Sequence, residues 1–373
     1  MPSSAASATA PPPAWGRCGW SPRGHTTPDR RARSQGGKAM PPLYVMEQGA
    51  KIQRESRRLV VTKDDAVLQS VPLIKVEQVL IFGNISITTP ALVYLMSQGI
   101  DVVFCDQYGH YRGRVVGEMS GHSALRRWQY RRVDDPAFVL QTARAVVRAK
   151  LHNTRTLLLR YQRERAIRDI QLAIERLAEL LQQVERVRSL NSLRGVEGAG
   201  AAAYFDVFRH LLRDPVWEFT GRVRRPPGDP VNVLLSFGYT LLVRYLESAV
   251  EAVGLDPYLG CLHGDAYNRP SLALDIAEEF RCVVVDSLVL RCLNGGLIRP
   301  ENFSRQDDPA RPVLLDEAGR NVFIREFETR LASMLTHPLT DEQVTYRRCF
   351  ELQAREMARA IQSGTSYRPF TVR

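Results

Sequence analysis

The sequence predicts an α+β chain in which a small, mostly antiparallel β N-terminal domain precedes a larger all-α domain. Two patterns carry that prediction. Short runs of β-branched and aromatic residues broken by turn residues fill positions 43–116, and long apolar-periodic segments fill almost everything after position 136. The total of 373 residues is long enough for two cores, and 44% hydrophobic with 24% charged residues argues against wholesale disorder or a fibrous repeat.

Residues 1–40 are rich in Ala, Pro, Ser, Gly and Arg, lack the apolar core of a secretory signal and show no periodicity. They read as a disordered basic tail, with Arg17, Arg23, Arg30, Arg31, Arg33 and Lys38 against the single acid Asp29. Met40 directly precedes the first strand-like run, so an upstream start codon explains this segment at least as well as a transit peptide does. The tail accounts for nearly half of the formal charge of +11; the moderate remainder fits nucleic acid or another anionic surface. No apolar run approaches the length of a membrane span. The six cysteines form no C-x-x-C pair or metal-knuckle spacing, which points to a reducing cytoplasm.

Strands are expected at 43–46, 59–62, 67–71, 79–82, 85–87, 102–105 and 111–116, with one short helix at 90–97 and turns at Gly83-Asn84 and Gly109. This domain, residues 41–119, shows no catalytic pattern, so a scaffold or dimerisation role is its default. Residues 120–135 read as a linker. Within it Arg126-Arg127-Trp128-Gln129-Tyr130-Arg131-Arg132 interleaves guanidinium groups with aromatic rings, as a surface meeting phosphates and bases does. A solvated helix start explains the run equally well. Asp135-Pro136 then supplies a cap and a first helical residue. Helices follow at 138–164, 166–187, 193–212, 231–253, from Ser271, at 284–293, 323–335 and 342–361, a bundle over residues 136–373 without a P-loop or dinucleotide fingerprint.

Three places in this bundle hold groups suited to chemistry. The loop Gly254 to His263 ends on an imidazole. Pro270 suits the first turn of the next helix, in which Leu272, Ala273, Ile276, Ala277 and Phe280 recur at near-helical spacing, and Asp275 and Glu278, three apart, share a face. Upstream, Glu197 lies in a Gly/Ala-rich run too small to fill a core; a tight helix crossing with Glu197 in solvent is the plainer alternative. Imidazole with carboxylates suits Mn²⁺ or Mg²⁺, the nitrogen tilting toward Mn²⁺; Cys261 leaves zinc open, although no further ligand sits at a recognised zinc spacing.

Taken in order, Leu43-Tyr44-Val45, Leu80-Ile81-Phe82-Gly83, Gly99-Ile100-Asp101-Val102, Ala149-Lys150-Leu151-His152-Asn153, Arg194-Gly195-Val196-Glu197-Gly198, Asp229-Pro230-Val231-Asn232 and the stretch through Glu279-Phe280-Arg281 resemble the CRISPR-associated spacer-acquisition endonuclease/integrase family. The resemblance covers nearly the whole chain after residue 40. It implies metal ligation and catalysis by Glu197, His263 and Glu278, with Asp275 as alternative third ligand or as a group orienting the site from behind, and Mn²⁺ or Mg²⁺ as the ion. Cys261 departs from the aromatic or aliphatic residue more usual there, with no expected loss of function.

It further implies a homodimer built through the β domain, a small companion adaptation protein, and double-stranded DNA as substrate, both as spacer fragment and as CRISPR repeat. The implied chemistry is transesterification, a 3′-hydroxyl attacking a repeat phosphate in line, or nicking when water is the nucleophile. Arg222, Arg224, Arg225 and Arg281 are candidate phosphate-holding residues, with Asn232 and Tyr239 lining the site; surface charge or helix packing explains each of them, taken singly, about as well. Two other functions fit the same residues: a structure-specific repair nuclease acting on branched DNA, and a catalytically silent DNA-bridging scaffold.

Overall fold

The computed structural model describes residues 42–76, 78–107, 109, 111–115, 122–264 and 266–372; the basic tail at 1–40 and the end of the seventh expected strand at Val116 lie outside them. The first part comprises β1 (Leu43–Val45), β2 (Lys51–Glu55), β3 (Arg58–Lys63), β4 (Ala66–Pro72), β5 (Gln78–Phe82), β6 (Ser86–Ile87), α1 (Thr89–Ser97), β7 (Asp101–Cys105) and β8 (Tyr111–Val115). One sheet has the order β1-β5-β7-β8, the other β4-β3-β2-β6.

These sheets are mixed, which corrects the expectation of a mostly antiparallel domain. β5 runs parallel to both β1 and β7, and β2 parallel to β6. The cause is connectivity: the β5-to-β7 link passes through α1, and a crossover of that length returns the chain in the same direction. β2 is an element the sequence reading missed. Its run Lys-Ile-Gln-Arg-Glu buries only Ile52, yet it pairs along its whole length with β3.

All five residues of β5 are buried, because the first sheet has a core on each face. Val79, Ile81 and Val102 join Leu59, Leu95 and other residues of the small N-terminal core. Their alternating neighbours Leu80, Phe82 and Val103 join the large helical core instead. Period-two alternation thus welds the sheet to the helices. Polar clips reinforce the seam: Tyr44 Oη and Tyr245 Oη both donate to Glu328 Oε1, at 2.6 and 2.5 Å, while Arg347 pairs with Oε2. Gln78 Nε2 donates to Ser248 Oγ at 3.0 Å, which donates to Asp101 Oδ2 at 2.9 Å.

The second part contains α2 (Ser123–Val133), α3 (Pro136–Arg165), α4 (Arg168–Arg186), α5 (Leu190–Val207), α6 (Pro230–Val253), α7 (Ser271–Phe280), a π-helical segment (Arg281–Asp286) running into α8 (Ser287–Asn294), α9 (Glu317–Ala332) and α10 (Tyr346–Ser363). The expected linker is therefore itself helical. α2 is held by the fully buried Gln129, whose amide bonds Asp256 O at 2.8 Å and Leu259 O at 3.2 Å. Nor is this part all α: β9 (Phe303–Arg305) pairs with β10 (Val313–Leu315), and β11 (Met334–Thr336) with β12 (Gln343–Thr345).

Among the described residues one helix, α6, is long and apolar enough by length and composition to cross a membrane, contrary to the sequence reading. Its apolar length is accounted for by packing: it is the central helix of the bundle, against α7 and α10. The five described cysteines are all buried and unpaired with one another.

Candidate active site

Three helices meet at the site. α3 begins at Pro136, capped by Asp135, and carries Lys150 on a largely apolar stretch. α5 crosses α3 closely because Gly200 leaves room for Leu151, where any Cβ would collide. The glycine-rich run therefore serves helix packing and site access together, and Glu197, one turn before Gly200, reaches the Lys150 ammonium. α7 starts at Ser271, with Pro270 as its cap and not in its first turn, and buries Leu272, Ala273, Ile276, Ala277 and Phe280 as the periodicity predicts.

The loop before α7 is moulded onto it. At Gly260 a Cβ would stand 2.7 Å from the Ser271 carbonyl carbon and 2.8 Å from Asp275 Oδ2, so only glycine permits this approach. Asp275, fully buried, accepts the backbone N–H groups of Cys261 (2.6 Å), Leu262 (2.9 Å) and His263 (2.9 Å). Its Oδ1 also lies 2.7 Å from His263 Nδ1. A carboxylate facing Nδ1 fixes the proton there and leaves Nε2 as the acceptor nitrogen. Arg194 Nε donates to Leu262 O at 2.9 Å, tying the same loop to α5.

Glu278 lies across from the histidine, its Oε1 3.8 Å from His263 Nε2 and 3.1 Å from Arg281 Nη2. Its Oε2 pairs with Lys150 Nζ at 2.7 Å. Burial alone would raise its pKa, but the Arg281 and Lys150 charges beside it pull it down to about 2. Burial also opposes the charge on Lys150, and Glu278 and Glu197 overcome it, so the ammonium is held charged. Among the described residues no three His, Cys, Asp or Glu side chains form a closed metal cluster: Lys150 sits between the two carboxylates.

Two members of the expected triad, Glu197 and Glu278, thus meet at one lysine, the third, His263, stands 3.8 Å from Glu278, and Asp275 stands behind the imidazole. Arg281 and Arg222 lie over the ring of Tyr239, 4.8 and 5.4 Å from its centroid. Arg224 borders the same cleft and Arg225 is exposed. Asn232 is fully buried and spent on the loop: its Oδ1 accepts from Arg222 Nη1 at 2.7 Å and Val223 N at 3.0 Å, and its amide donates to Gly221 O at 2.8 Å. It holds Arg222 in place and has no face toward the cleft. Tyr239 donates to Asp286 Oδ1 at 2.6 Å, and Tyr204 to Oδ2 at 2.9 Å; burial lifts the Asp286 carboxyl to about 6 despite these bonds.

Lys150, Arg194, Tyr204 and Asp286 escaped the sequence reading as site components. Lys150 stands among Val146, Val147, Ala149 and Leu151, an apolar neighbourhood that was the available signal for the first. Glu278 lines a cleft together with Lys150, Arg222, Arg224 and Arg281, and the half-buried His263 and Glu197 reach that corner through Glu278 and Lys150, chemistry suited to a cation beside an anion.

A family model described as CRISPR associated protein Cas1 matches residues 43–329. The chain is 38% identical over 330 residues to a CRISPR-associated exonuclease Cas4/endonuclease Cas1 fusion of Geobacter sulfurreducens, covering 86% of this chain and 58% of the fusion, so it spans little more than half of that relative. It is 35% identical over 345 residues to the CRISPR-associated endonuclease Cas1 2 of Rhodospirillum rubrum, covering 89% of this chain and 98% of that one. Among solved structures it resembles a chain of a Cas6-RT-Cas1–Cas2 complex with a TM-score of 0.77 and 26% identity, over 91% of this chain and 36% of the other.

Proposed function

The chain belongs to the CRISPR-associated protein Cas1 family, and from that premise we propose that it is a metal-dependent DNA endonuclease and integrase of CRISPR adaptation, inserting short DNA fragments at the CRISPR repeat by transesterification. The observation that supports this reading is that Glu197 and Glu278 meet at Lys150 and that His263 Nε2 stands 3.8 Å from Glu278 Oε1, beside arginine-rich walls. The donor set fits Mn²⁺ or Mg²⁺. Two carboxylates and one imidazole are hard oxygen with borderline nitrogen, and Glu278 is a buried carboxylate kept ionised, with Oε2 held 2.7 Å from the Lys150 ammonium where a cation would compete for it. Asp275 is already committed to three amides and an imidazole, which favours Glu278 as third ligand and Asp275 as the group that orients His263.

An ion held by Glu197, His263 and Glu278 would supply Lewis acidity toward a phosphodiester. The chain's own residues do the rest. Arg222 and Arg281, stacked on Tyr239, hold the DNA phosphates, and Tyr204 and Tyr239 lock that platform through Asp286. A 3′-hydroxyl aligned opposite the leaving oxygen forms the new P–O bond as the old one breaks, so no nucleotide cofactor is consumed; water in the same place nicks the strand.

A homodimer fits the exposed apolar edge of the second sheet, where Val67 and Leu68 on β4 and the nearby Ile74 are 62, 49 and 72% exposed. A Cas2-type companion fits the complex in which the structural relative was solved. The buried thiols suit a reducing cytoplasm. The test offers the protein and its companion a repeat-bearing duplex beside a branched junction, with a labelled 3′-hydroxyl fragment and Mn²⁺. Strand transfer into the repeat is expected; cleavage of the junction alone would favour a repair nuclease, and no metal-dependent product a silent scaffold.

A further inference from the structure

Lys150 is the group that the metal-site reading leaves unexplained. Its side chain is 13% exposed, it stands on α3 between carboxylates delivered by α5 and α7, and its ammonium contacts Glu197 Oε1 and Glu278 Oε2. Those are the oxygens a divalent cation would need. The other oxygen of Glu278 already pairs with Arg281 at 3.1 Å, so a cation that engages Oε2 meets Lys150 there.

We propose that Lys150 is a tethered counter-ion that competes with the divalent cation for Glu197 and Glu278 and, once displaced from them, binds the phosphate undergoing transfer. The proposal rests on the metal-site reading above. Charge counting supports it. Glu197 and Glu278 are balanced by Lys150 and Arg281, so a divalent ion leaves the site with an excess positive charge in a poorly solvated cleft. A phosphodiester carries one negative charge and gains another as the attacking oxygen arrives, which restores the balance during the reaction and favours the transition state over the ground state. The four-carbon stem lets the ammonium swing from carboxylate to phosphate without movement of α3. There it donates to a non-bridging oxygen and stays protonated throughout, while the attacking 3′-hydroxyl gives its proton to water as its bond to phosphorus forms and the leaving oxygen takes a proton from water as its bond breaks.

The test compares the wild type with Lys150→Met and Lys150→Arg, full chain throughout, by titrating Mn²⁺ calorimetrically and by timing strand transfer at saturating Mn²⁺. Lys150→Met should bind Mn²⁺ roughly tenfold more tightly, since a competing cation has been removed. The same variant should transfer strands about 100-fold more slowly, in kcat and not in KM. Lys150→Arg should keep near-wild-type Mn²⁺ affinity and melting temperature. Unchanged or weaker Mn²⁺ binding by a folded Lys150→Met, with the wild-type site present, would overturn the lysine's role alone. Absence of any Mn²⁺ site in the wild type that His263→Ala removes would overturn the metal-site reading, and this proposal with it.

Discussion

Oδ1 of Asp275 lies 2.7 Å from Nδ1 of His263 and accepts the backbone N–H of the same residue at 2.9 Å. One buried carboxylate thereby fixes the histidine's ring, its tautomer and the loop that carries it. Asp275→Asn should weaken Mn²⁺ binding by about 10- to 100-fold, as loss of a group that orients a ligand does. Glu278→Ala should cost more. Calorimetric titration of Asp275→Ala beside Glu278→Ala decides the ligand assignment, and a larger loss in Asp275→Ala would exchange the two roles.

Gly260 is the contact point between that loop and α7. Gly260→Ala should push the His263 loop away from Asp275 and destabilise the fold by about 1–3 kcal/mol, the usual cost of overpacking. Urea denaturation measures the loss, and the same variant should weaken Mn²⁺ binding although residue 260 holds no ligand.

Glu279 faces away from the site, into a buried clasp with the C-terminal segment: Tyr367 Oη donates to it at 2.6 Å, Phe370 N at 2.7 Å and Gln353 Nε2 at 3.1 Å. Burial lifts its pKa from 4.5 to about 8 despite those bonds. A raised folded pKa means that the neutral form is favoured by folding. Its contribution is complete below the unfolded value and is lost as pH rises through about 8. Asp286, lifted to about 6, acts in the same sense. The melting temperature should therefore decline from pH 5 to pH 9, and Glu279→Gln, which mimics the neutral carboxyl, should flatten most of that decline.

Glu328 ties Tyr44 of β1 to Tyr245 of α6 and to Arg347 of α10. Replacing it with Leu removes the acceptor that two hydroxyls share and the carboxylate that pairs with Arg347 at the seam between sheet and helices. A loss of about 3 kcal/mol in denaturant unfolding is expected, with Mn²⁺ affinity of the remaining native protein unaltered.

The helices could be read from the sequence because apolar residues recur with their period over many turns, as in α6, and because Asp135-Pro136 and Asp229-Pro230 punctuate them. Parallel pairing of β5 with β1 and β7 could not, since each strand's own pattern is the same whichever way its neighbour runs. β2 and α2 hid behind charged surfaces, each buried at only one or two positions, Ile52 in the first and Leu125 and Gln129 in the second. At the site, helical spacing set Asp275 and Glu278 on one face, but only the path of the 254–263 loop decides which meets Nδ1 and which faces Nε2. Lys150 was hidden for a general reason: a lysine on a long helix looks like a solvated one until two carboxylates from elsewhere in the chain arrive beside it.

The central claim is that Glu197, His263 and Glu278 form one metal-dependent site for phosphodiester transfer. Its most direct test is joining of a 3′-hydroxyl DNA fragment to a repeat-bearing duplex with Mn²⁺, comparing the wild type with Glu197→Ala and His263→Ala at matched melting temperature and DNA affinity. Product from the wild type alone, at least about 1000-fold above either variant, is the predicted result. Wild-type rates in both variants would contradict it.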